Sequence, residues 1–372
     1  MDAPQISLII PTINESENLP TLAAQIAQAL AGRSYEILIV DDNSKDATPQ
    51  VCAELAKTYP LRLIVRTQPR NGLGGAVLHG FGEARGEYLV VMDADLQHPP
   101  AKLPELLAPL EEHRAEFSLG SRLVSGGSVG EKWGIFRKLN SWVATQLARP
   151  FAGNTRDPMS GFFAMKRSTF ERAERLTPLG YKIGLELMCK CRVRNVQEVP
   201  IHFAERTRGQ SKLSLREQFR YLEHLSRLYD FCYPHLSPIA KFLVVTTLGW
   251  LVGLAVFRGE LALGASLSWS PVFAYLGAVL VTAVFHRRYI RTQREFLLTE
   301  HPWGEFWLIT LAELIACGAV SAWITHRVLD ARPWEVFLLS FGAGTLARYV
   351  LRKELMQDIR GLRKEIRKEE LT

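Results

Sequence analysis

The sequence predicts an α/β domain on a mostly parallel sheet followed by an α-helical transmembrane domain of four helices, and three observations carry that prediction. In the N-terminal half, short apolar runs rich in Val and Ile alternate with amphipathic stretches of helical length. Acidic and amide residues gather directly after those runs. Beyond about Pro234 the chain becomes apolar over long spans. A length of 372 residues leaves room for both parts.

The strand-like runs are Ile6 to Ile10, Tyr35 to Val40, Leu61 to Val65 and Tyr88 to Met92. Between them Leu19 to Leu30, Ala47 to Thr58 and Gly75 to Ala84 are long enough for crossover helices. Strands separated by helices imply a parallel sheet. Right-handed crossovers then place the C-terminal strand ends on one edge, where open α/β sheets bind their ligands. The stretch Asn71-Gly72-Leu73-Gly74-Gly75 lacks the Lys-Ser/Thr of a P-loop and the third glycine of a dinucleotide fingerprint, so it reads as a tight strand-to-helix turn.

The polar residues concentrate on that edge. Asn14 and Glu15 follow the first strand, Asp41-Asp42-Asn43-Ser44 the second, and Asp93-Ala94-Asp95-Leu96-Gln97 the fourth. Asp41 and Asp42 are candidates for ribose or base contacts, and Asp46 reads better as a helix cap. Asp93 and Asp95, two apart at a strand end, can point into one site and hold a hard divalent ion against phosphate oxygens; that reading is preferred to a turn or cap role.

A formal net charge of +7 suits nucleic acid, an anionic membrane surface or phosphate-bearing ligands alike. Cys52, Cys189, Cys191, Cys232 and Cys317 form no even framework and no zinc-ligand spacing, so they are expected to be reduced. Met1-Asp2-Ala3-Pro4 enters a strand-like run at once, and no cleaved signal is expected.

Leu215, Phe219, Leu222, Leu225, Leu228 and Tyr229 recur at helical spacing with Arg216, Arg220 and Arg227 between them. Such a helix fits a membrane interface, and it equally fits packing against the preceding domain. Four apolar spans follow, Ile239 to Phe257, Leu267 to Phe285, Phe306 to Ile324 and Trp334 to Leu351, each near the length that crosses a bilayer. Trp269, Trp303, Trp307 and Trp334 stand where interfacial aromatics belong, and Lys241 and Arg348 near span ends that would be cytoplasmic. Arg287, Arg288, Arg291 and Arg294 follow the second span, and Arg352, Lys353, Arg360, Arg363 and Lys364 the fourth, which makes both termini cytoplasmic. Glu313 and Arg348 fall at similar depth and are expected to pair. The division is then residues 1–212 catalytic, 213–236 amphipathic and interfacial, 237–353 transmembrane, and 354–372 a basic cytoplasmic tail.

Ile9-Ile10-Pro11-Thr12 with Asn14-Glu15, Val40-Asp41-Asp42, and Met92-Asp93-Ala94-Asp95-Leu96-Gln97-His98-Pro99-Pro100 resemble glycosyltransferase family 2. Gly120-Ser121-Arg122, Gly126-Gly127, Arg137-Lys138-Leu139 with Ser141, Asp157-Pro158-Met159-Ser160-Gly161-Phe162, and Arg206-Thr207-Arg208-Gly209-Gln210-Ser211-Lys212 narrow the resemblance to the dolichol-phosphate mannose synthases, over roughly residues 5 to 230. The apolar tail weakly resembles GtrA-like membrane domains. The resemblance implies a GT-A fold, Mg2+ or Mn2+, GDP-mannose as donor and a polyprenyl phosphate lipid as acceptor. It implies Asp93, Asp95 and Gln97 as metal ligands. It places Pro11, Asn14, Glu15, Asp42, Asp93, Ala94, Asp95, Arg206 and Lys212 around the nucleotide-sugar, and Arg122, Arg137, Ser141 and Arg206 around the acceptor phosphate. Asp95, Arg122, Arg137, Arg206 and Lys212 would carry catalysis. Ile13 departs from a frequent aromatic, Asn43 from a frequent third acid, and His98 stands where related glucosyltransferases show Asp, which tilts the donor toward GDP-mannose.

The chemistry agrees with that implication. Donor diphosphate and acceptor phosphate each bring about two negative charges to one anomeric carbon; at about 6 Å and an effective dielectric of about 20, the four pairs repel by about 11 kcal/mol. A divalent ion and several Arg or Lys residues offset this. An acceptor phosphate is already anionic, so in-line displacement with inversion needs neither a dedicated base nor a covalent intermediate. Two other classes remain open: hexosyl transfer from a UDP-sugar, and a lipid-linked sugar transporter subunit whose first domain only senses nucleotide-sugars. A processive synthase ranks last, because its Gln-x-x-Arg-Trp signature is missing. Neither a nucleic-acid nor a protein partner is evident.

Overall fold

Strand β1 (Ile6–Thr12) is buried along almost its whole length, as a central parallel strand flanked on both faces must be. The computed structural model describes residues 3–130, 135–179, 182–204, 215–285, 302–328 and 331–351. After β1 come helix α1 (Leu19–Ala29), β2 (Tyr35–Asp41), α2 (Thr48–Leu55), β3 (Leu61–Val65), α3 (Gly72–Glu83) and β4 (Tyr88–Val91). These are the strands and crossovers the apolar runs predict, and β1 pairs in parallel with β2 on one side and β4 on the other. The crossovers pack tightly: a Cβ on Gly80 of α3 would lie 2.6 Å from the Ile9 side chain, so only glycine fits there. The Asn71 stretch is the predicted turn, with Asn71 and Gly72 both left-handed at φ 64° and 56°.

The second half of the domain adds α4 (Leu103–Glu111), β5 (Phe117–Ser121), β6 (Ser128–Val129), α5 (Ile135–Ala152), β7 (Phe163–Lys166), α6 (Arg167–Phe170), α7 (Ile183–Lys190), β8 (Val196–Pro200), β9 (His202–Phe203) and α8 (Leu215–Cys232). Among the described residues, seven strands form one sheet in the order β3-β2-β1-β4-β7-β5-β8. Strand β7 runs antiparallel between β4 and β5, while β5 and β8 are parallel to one another. Because β1 has β2 and β4 on opposite sides, the strand order reverses there, the position at whose C-terminal strand ends open α/β sheets bind their ligands.

Helix α8 packs on the α/β domain. Leu225 and Leu228 are buried in the core beneath α5 and α7, each worth about 1.5–3 kcal/mol, and the Tyr221 hydroxyl donates to the Ala144 carbonyl at 2.7 Å. Its other edge still exposes Phe219 and Leu222. Beneath it the carboxylate of Glu186, fully buried, accepts from Lys190 Nζ at 2.7 Å and from the Thr177 N–H at 2.7 Å, and lies 3.3 Å from His224 Nε2.

The chain divides into two compact units, Met1–Pro234 and His235–Thr372. The second contains α9 (Ser237–Ala262), α10 (Ser270–Phe285), α11 (Pro302–Arg327) and α12 (Pro333–Val350), one helix for each predicted apolar span. Two of them, over Ile239–Ala262 and Phe306–Arg327, are long and apolar enough to cross a membrane. The expectation of four such spans is met in part among the described residues, where α10 is apolar over Ser270–Phe285. Helix α12, with 18 residues, carries Glu335 in its first turn and Arg348 in its last. Glu313 and Arg348 do pair: Arg348 Nε and Nη2 donate to the two Glu313 oxygens at 2.7 and 2.5 Å, and Nη1 donates to Thr282 Oγ1 at 3.1 Å. The pair ties α10, α11 and α12 together in the interior of the unit, where Phe257, Tyr275, Phe337 and Phe341 form its apolar core.

Candidate active site

The loops after β1 and β2 are tied to each other. The Asn14 N–H donates to Ser44 Oγ at 2.8 Å, and Asn14 Oδ1 accepts from the Lys45 N–H at 2.8 Å. Asn14 holds a left-handed φ of 57°, which Asn tolerates better than most residues. The Glu15 N–H donates to Thr48 Oγ1, and the Glu15 carboxylate accepts from Asn18 Nδ2 at 2.7 Å. Asp46 accepts from the Ser16 and Thr48 N–H groups, both at 3.0 Å; burial opposes its charge, yet these bonds hold its pKa at about 2. It is the cap the sequence suggests. Asp41 is fully buried and accepts from the Ser44 N–H and hydroxyl, so it braces the turn. Asp42 is raised by burial, against the Arg66 guanidinium 3.2 Å away.

The third loop follows β4. Ala94 and Asp95 are buried, Gln97 is 7% exposed, and Asp93 is the more open of the two carboxylates. Leu96 takes a left-handed φ of 60°, which brings the Gln97 N–H to Asp95 Oδ1 at 3.2 Å. Gln97 Nε2 donates to the Ala204 carbonyl at 2.9 Å, and the Ala204 N–H donates back to the Gln97 carbonyl at 3.1 Å. Asp93, Asp95 and Gln97 all carry side-chain oxygens within this one loop, the residue types that suit a hard divalent cation. His98 lies beneath, with Nδ1 accepting the Asp93 N–H at 3.2 Å; burial lowers its pKa despite Asp93 and Asp95, and the ring is neutral.

Facing this loop is a braced arginine. Arg122, at the end of β5, donates Nε and Nη2 to the two oxygens of buried Asp157, both at 2.7 Å. Burial disfavours the Asp157 charge, but the Arg122 bonds and charge keep its pKa below the usual carboxylate value. Glu198 in turn accepts the Arg156 and Asp157 N–H groups at 2.8 and 3.0 Å. Lys182 donates to the Met159 carbonyl at 2.8 Å, and burial, reinforced by Arg122, pushes its pKa down to about 7 against the pull of Asp157 and Asp93. Lys182 escapes a reading by strand ends because it precedes α7, far along the chain from the loop whose field it shares.

Of the other sequence-derived residues, Pro11 lies half-buried near the end of β1, and Arg137 and Ser141 stand one helical turn apart on α5. Arg206 and Lys212 lie outside the described residues. A separate cleft of about 970 Å³, lined by Arg114, Asn154, Arg156, Arg194 and Glu198 among others, opens beside β8 and includes none of the oxygen loop.

Residues 7–173 match the model of glycosyl transferase family 2. The chain is 42% identical over 278 residues to a dolichol-phosphate mannosyltransferase of Pyrococcus furiosus, covering 74% of this chain and 76% of that protein. It is 39% identical to the protein of the same name from Saccharomyces cerevisiae, covering 61% and 88%. Among solved structures, glucosyl-3-phosphoglycerate synthase from Mycobacterium tuberculosis in complex with Mn2+, UDP and glucosyl-3-phosphoglycerate is similar at 21% identity and a TM-score of 0.46, covering 62% of this chain and 80% of its own. The mostly parallel sheet with its strand-end loops is a GT-A fold, and the chain is a glycosyltransferase that belongs to family 2, among the dolichol-phosphate mannosyltransferases.

Proposed function

We propose that this protein transfers mannose from GDP-mannose to a polyprenyl phosphate, dolichyl or undecaprenyl, with inversion, at the cytoplasmic face of a membrane. The observation that carries the reading is the placement of an all-oxygen loop and a carboxylate-braced arginine at one sheet edge, in a chain whose mannosyltransferase relatives match it along most of their length. Asp93, Asp95 and Gln97 would hold Mg2+ or Mn2+, which when bound neutralises charge on the donor diphosphate. Pro11, Asn14, Glu15, Asp42 and Ala94 line the nucleotide side. Arg122, Arg137 and Ser141 take the acceptor phosphate, with Arg206 and Lys212 between the two anions. A phosphate oxygen forms the new bond to the anomeric carbon as the bond to GDP breaks, and both leave as phosphate anions without a proton transfer.

The second unit anchors the protein through α9 and α11, and the basic residues after the second and fourth apolar spans put both termini in the cytoplasm. Four spanning helices with an amphipathic connection at 213–236 and a tail at 354–372 complete this arrangement. The test is incubation of the detergent-solubilised protein with GDP-mannose, UDP-glucose and other nucleotide-sugars beside polyprenyl phosphate, and weighing of the lipid product. A mannose-bearing lipid from GDP-mannose is expected. A product from a UDP-hexose replaces the donor, and no lipid product from any donor overturns the reading. Asp95→Asn should lose divalent-dependent donor binding, because an amide is a poorer partner for a hard cation; unchanged binding at limiting metal would remove the assignment of Asp95.

A further inference from the structure

His98 holds the oxygen loop from inside an aromatic stack. Its Nδ1 accepts the Asp93 N–H, one face lies on Phe162 with centroids 5.3 Å apart and planes 18° from parallel, and Phe203 meets it edge-on at 5.3 Å and 60°. The Arg122 guanidinium lies 5.3 Å from the centroid of that same Phe203 ring. The next residue, Ala204, exchanges two hydrogen bonds with Gln97. Two separate connections therefore run from the oxygen loop to the short strand bearing Phe203, and Phe203 is the surface on which Arg122 rests. Asp157 grips Arg122 through Nε and Nη2, so the guanidinium is fixed along one edge by a carboxylate and over one face by the ring.

We propose that His98 and Phe203 form a positioning bridge that makes cation binding at Asp93, Asp95 and Gln97 and phosphate capture by Arg122 one coupled event, each raising the affinity for the other. The inference rests on the reading of Arg122 as an acceptor-phosphate residue. Close-packed rings do not deform continuously, so a loop ordered around a cation fixes the Asp93 amide, the His98 ring, the Phe203 ring and the Arg122 plane together. The ordering then has to occur only once for two ligands, and linkage requires the gain to be reciprocal.

The experiment uses the full chain in detergent micelles. Mn2+ is titrated, with free ion followed by paramagnetic resonance, in the presence and absence of a saturating short isoprenyl phosphate. Wild type should bind Mn2+ at least about five-fold more tightly with the phosphate present. Phe203→Leu should bind each ligand alone much as wild type does, with the ratio near one, while Phe203→Trp keeps the ring and the ratio. His98→Asn retains an acceptor for the Asp93 amide but no ring, and should lose the ratio as well. A wild-type ratio of one, or an unchanged ratio in Phe203→Leu, overturns the bridge. Arg122→Ala separates the two readings. If phosphate binding survives it, the acceptor role of Arg122 fails and the bridge with it; if phosphate binding is lost while the wild-type ratio is one, the acceptor role stands and the bridge alone falls.

Discussion

Arg137 and Ser141 stand four residues apart on α5, outside the loops after β1, β2 and β4, so as the proposed acceptor-phosphate residues they give the sharpest test of the division between donor and acceptor. Arg137→Ala should leave GDP-mannose affinity by calorimetry close to wild type while transfer to polyprenyl phosphate falls about ten-fold to over a hundred-fold, the worth of a charge-assisted hydrogen bond of about 1.5–3 kcal/mol. Arg137→Lys should recover part of the rate, since it restores charge without the paired donors. Equal losses in donor affinity and transfer would move Arg137 to the nucleotide. At this scale the sequence reveals residues whose role depends on local spacing. The loop that carries Asp93, Asp95 and Gln97 was legible as a polar segment after a strand, and Asp46 as a cap. Asp41 was not, because a buried brace and a ligand carboxylate look alike until the Ser44 contacts are known. Phe203, Glu198 and Lys182 were illegible for a different reason: each acts on a partner distant in sequence, and no local pattern records that meeting.

Among the elements, β1 to β4 were legible because buried parallel strands are continuous apolar runs separated by helices of crossover length. The antiparallel insertion of β7 was not, since a four-residue strand carries too little pattern to show its direction. Helix α8 carried a pattern that suits lipid or protein equally, and the structure decides for protein on its Leu225 and Leu228 side. The polar contact under it gives that packing a pH signature. Burial would raise the Glu186 pKa, but the bonds from His224 and Lys190, the Lys190 charge and the Thr177 N–H hold it at about 2. A carboxylate depressed on folding stabilises above its unfolded pKa of about 4.3, and that contribution is lost as pH falls toward 2. Glu186→Gln should therefore be less stable than wild type at pH 7, by about 3 kcal/mol or more because Lys190 is left buried, and the gap should narrow by about 2 kcal/mol by pH 3. Chemical denaturation of both proteins at the two pH values measures it; a gap that does not change with pH would mean that Glu186 is not the titrating group.

The whole molecule is two compact units joined near Pro234. Each has its own apolar core, so a chain ending at Pro234 should fold and keep part of its transfer to a short-chain acceptor. Long-chain polyprenyl phosphate should suffer more, because each buried methylene contributes about 0.8 kcal/mol to partitioning and that acceptor is confined to the bilayer. Comparison of the two acceptors in the full and shortened chains provides the measurement, and equal loss on both would make the second unit part of the reaction centre. The two-part layout was legible from hydropathy.

The two bonds between Gln97 and Ala204 join residues 107 positions apart. On a ribosome working at about 5–20 residues per second, roughly 5–20 s separate the synthesis of one from the other. At the start of that interval β1 and β4 are already made, β7 follows within it, and only at its end does Gln97 gain the carbonyl against which it sets its amide. The oxygen loop is thus completed by a late arrival and not by the stretch that contains its carboxylates. By the time Ala204 is made, only about 30 residues remain before α9 begins, so the finished loop and the first long apolar helix come almost together in the life of each molecule.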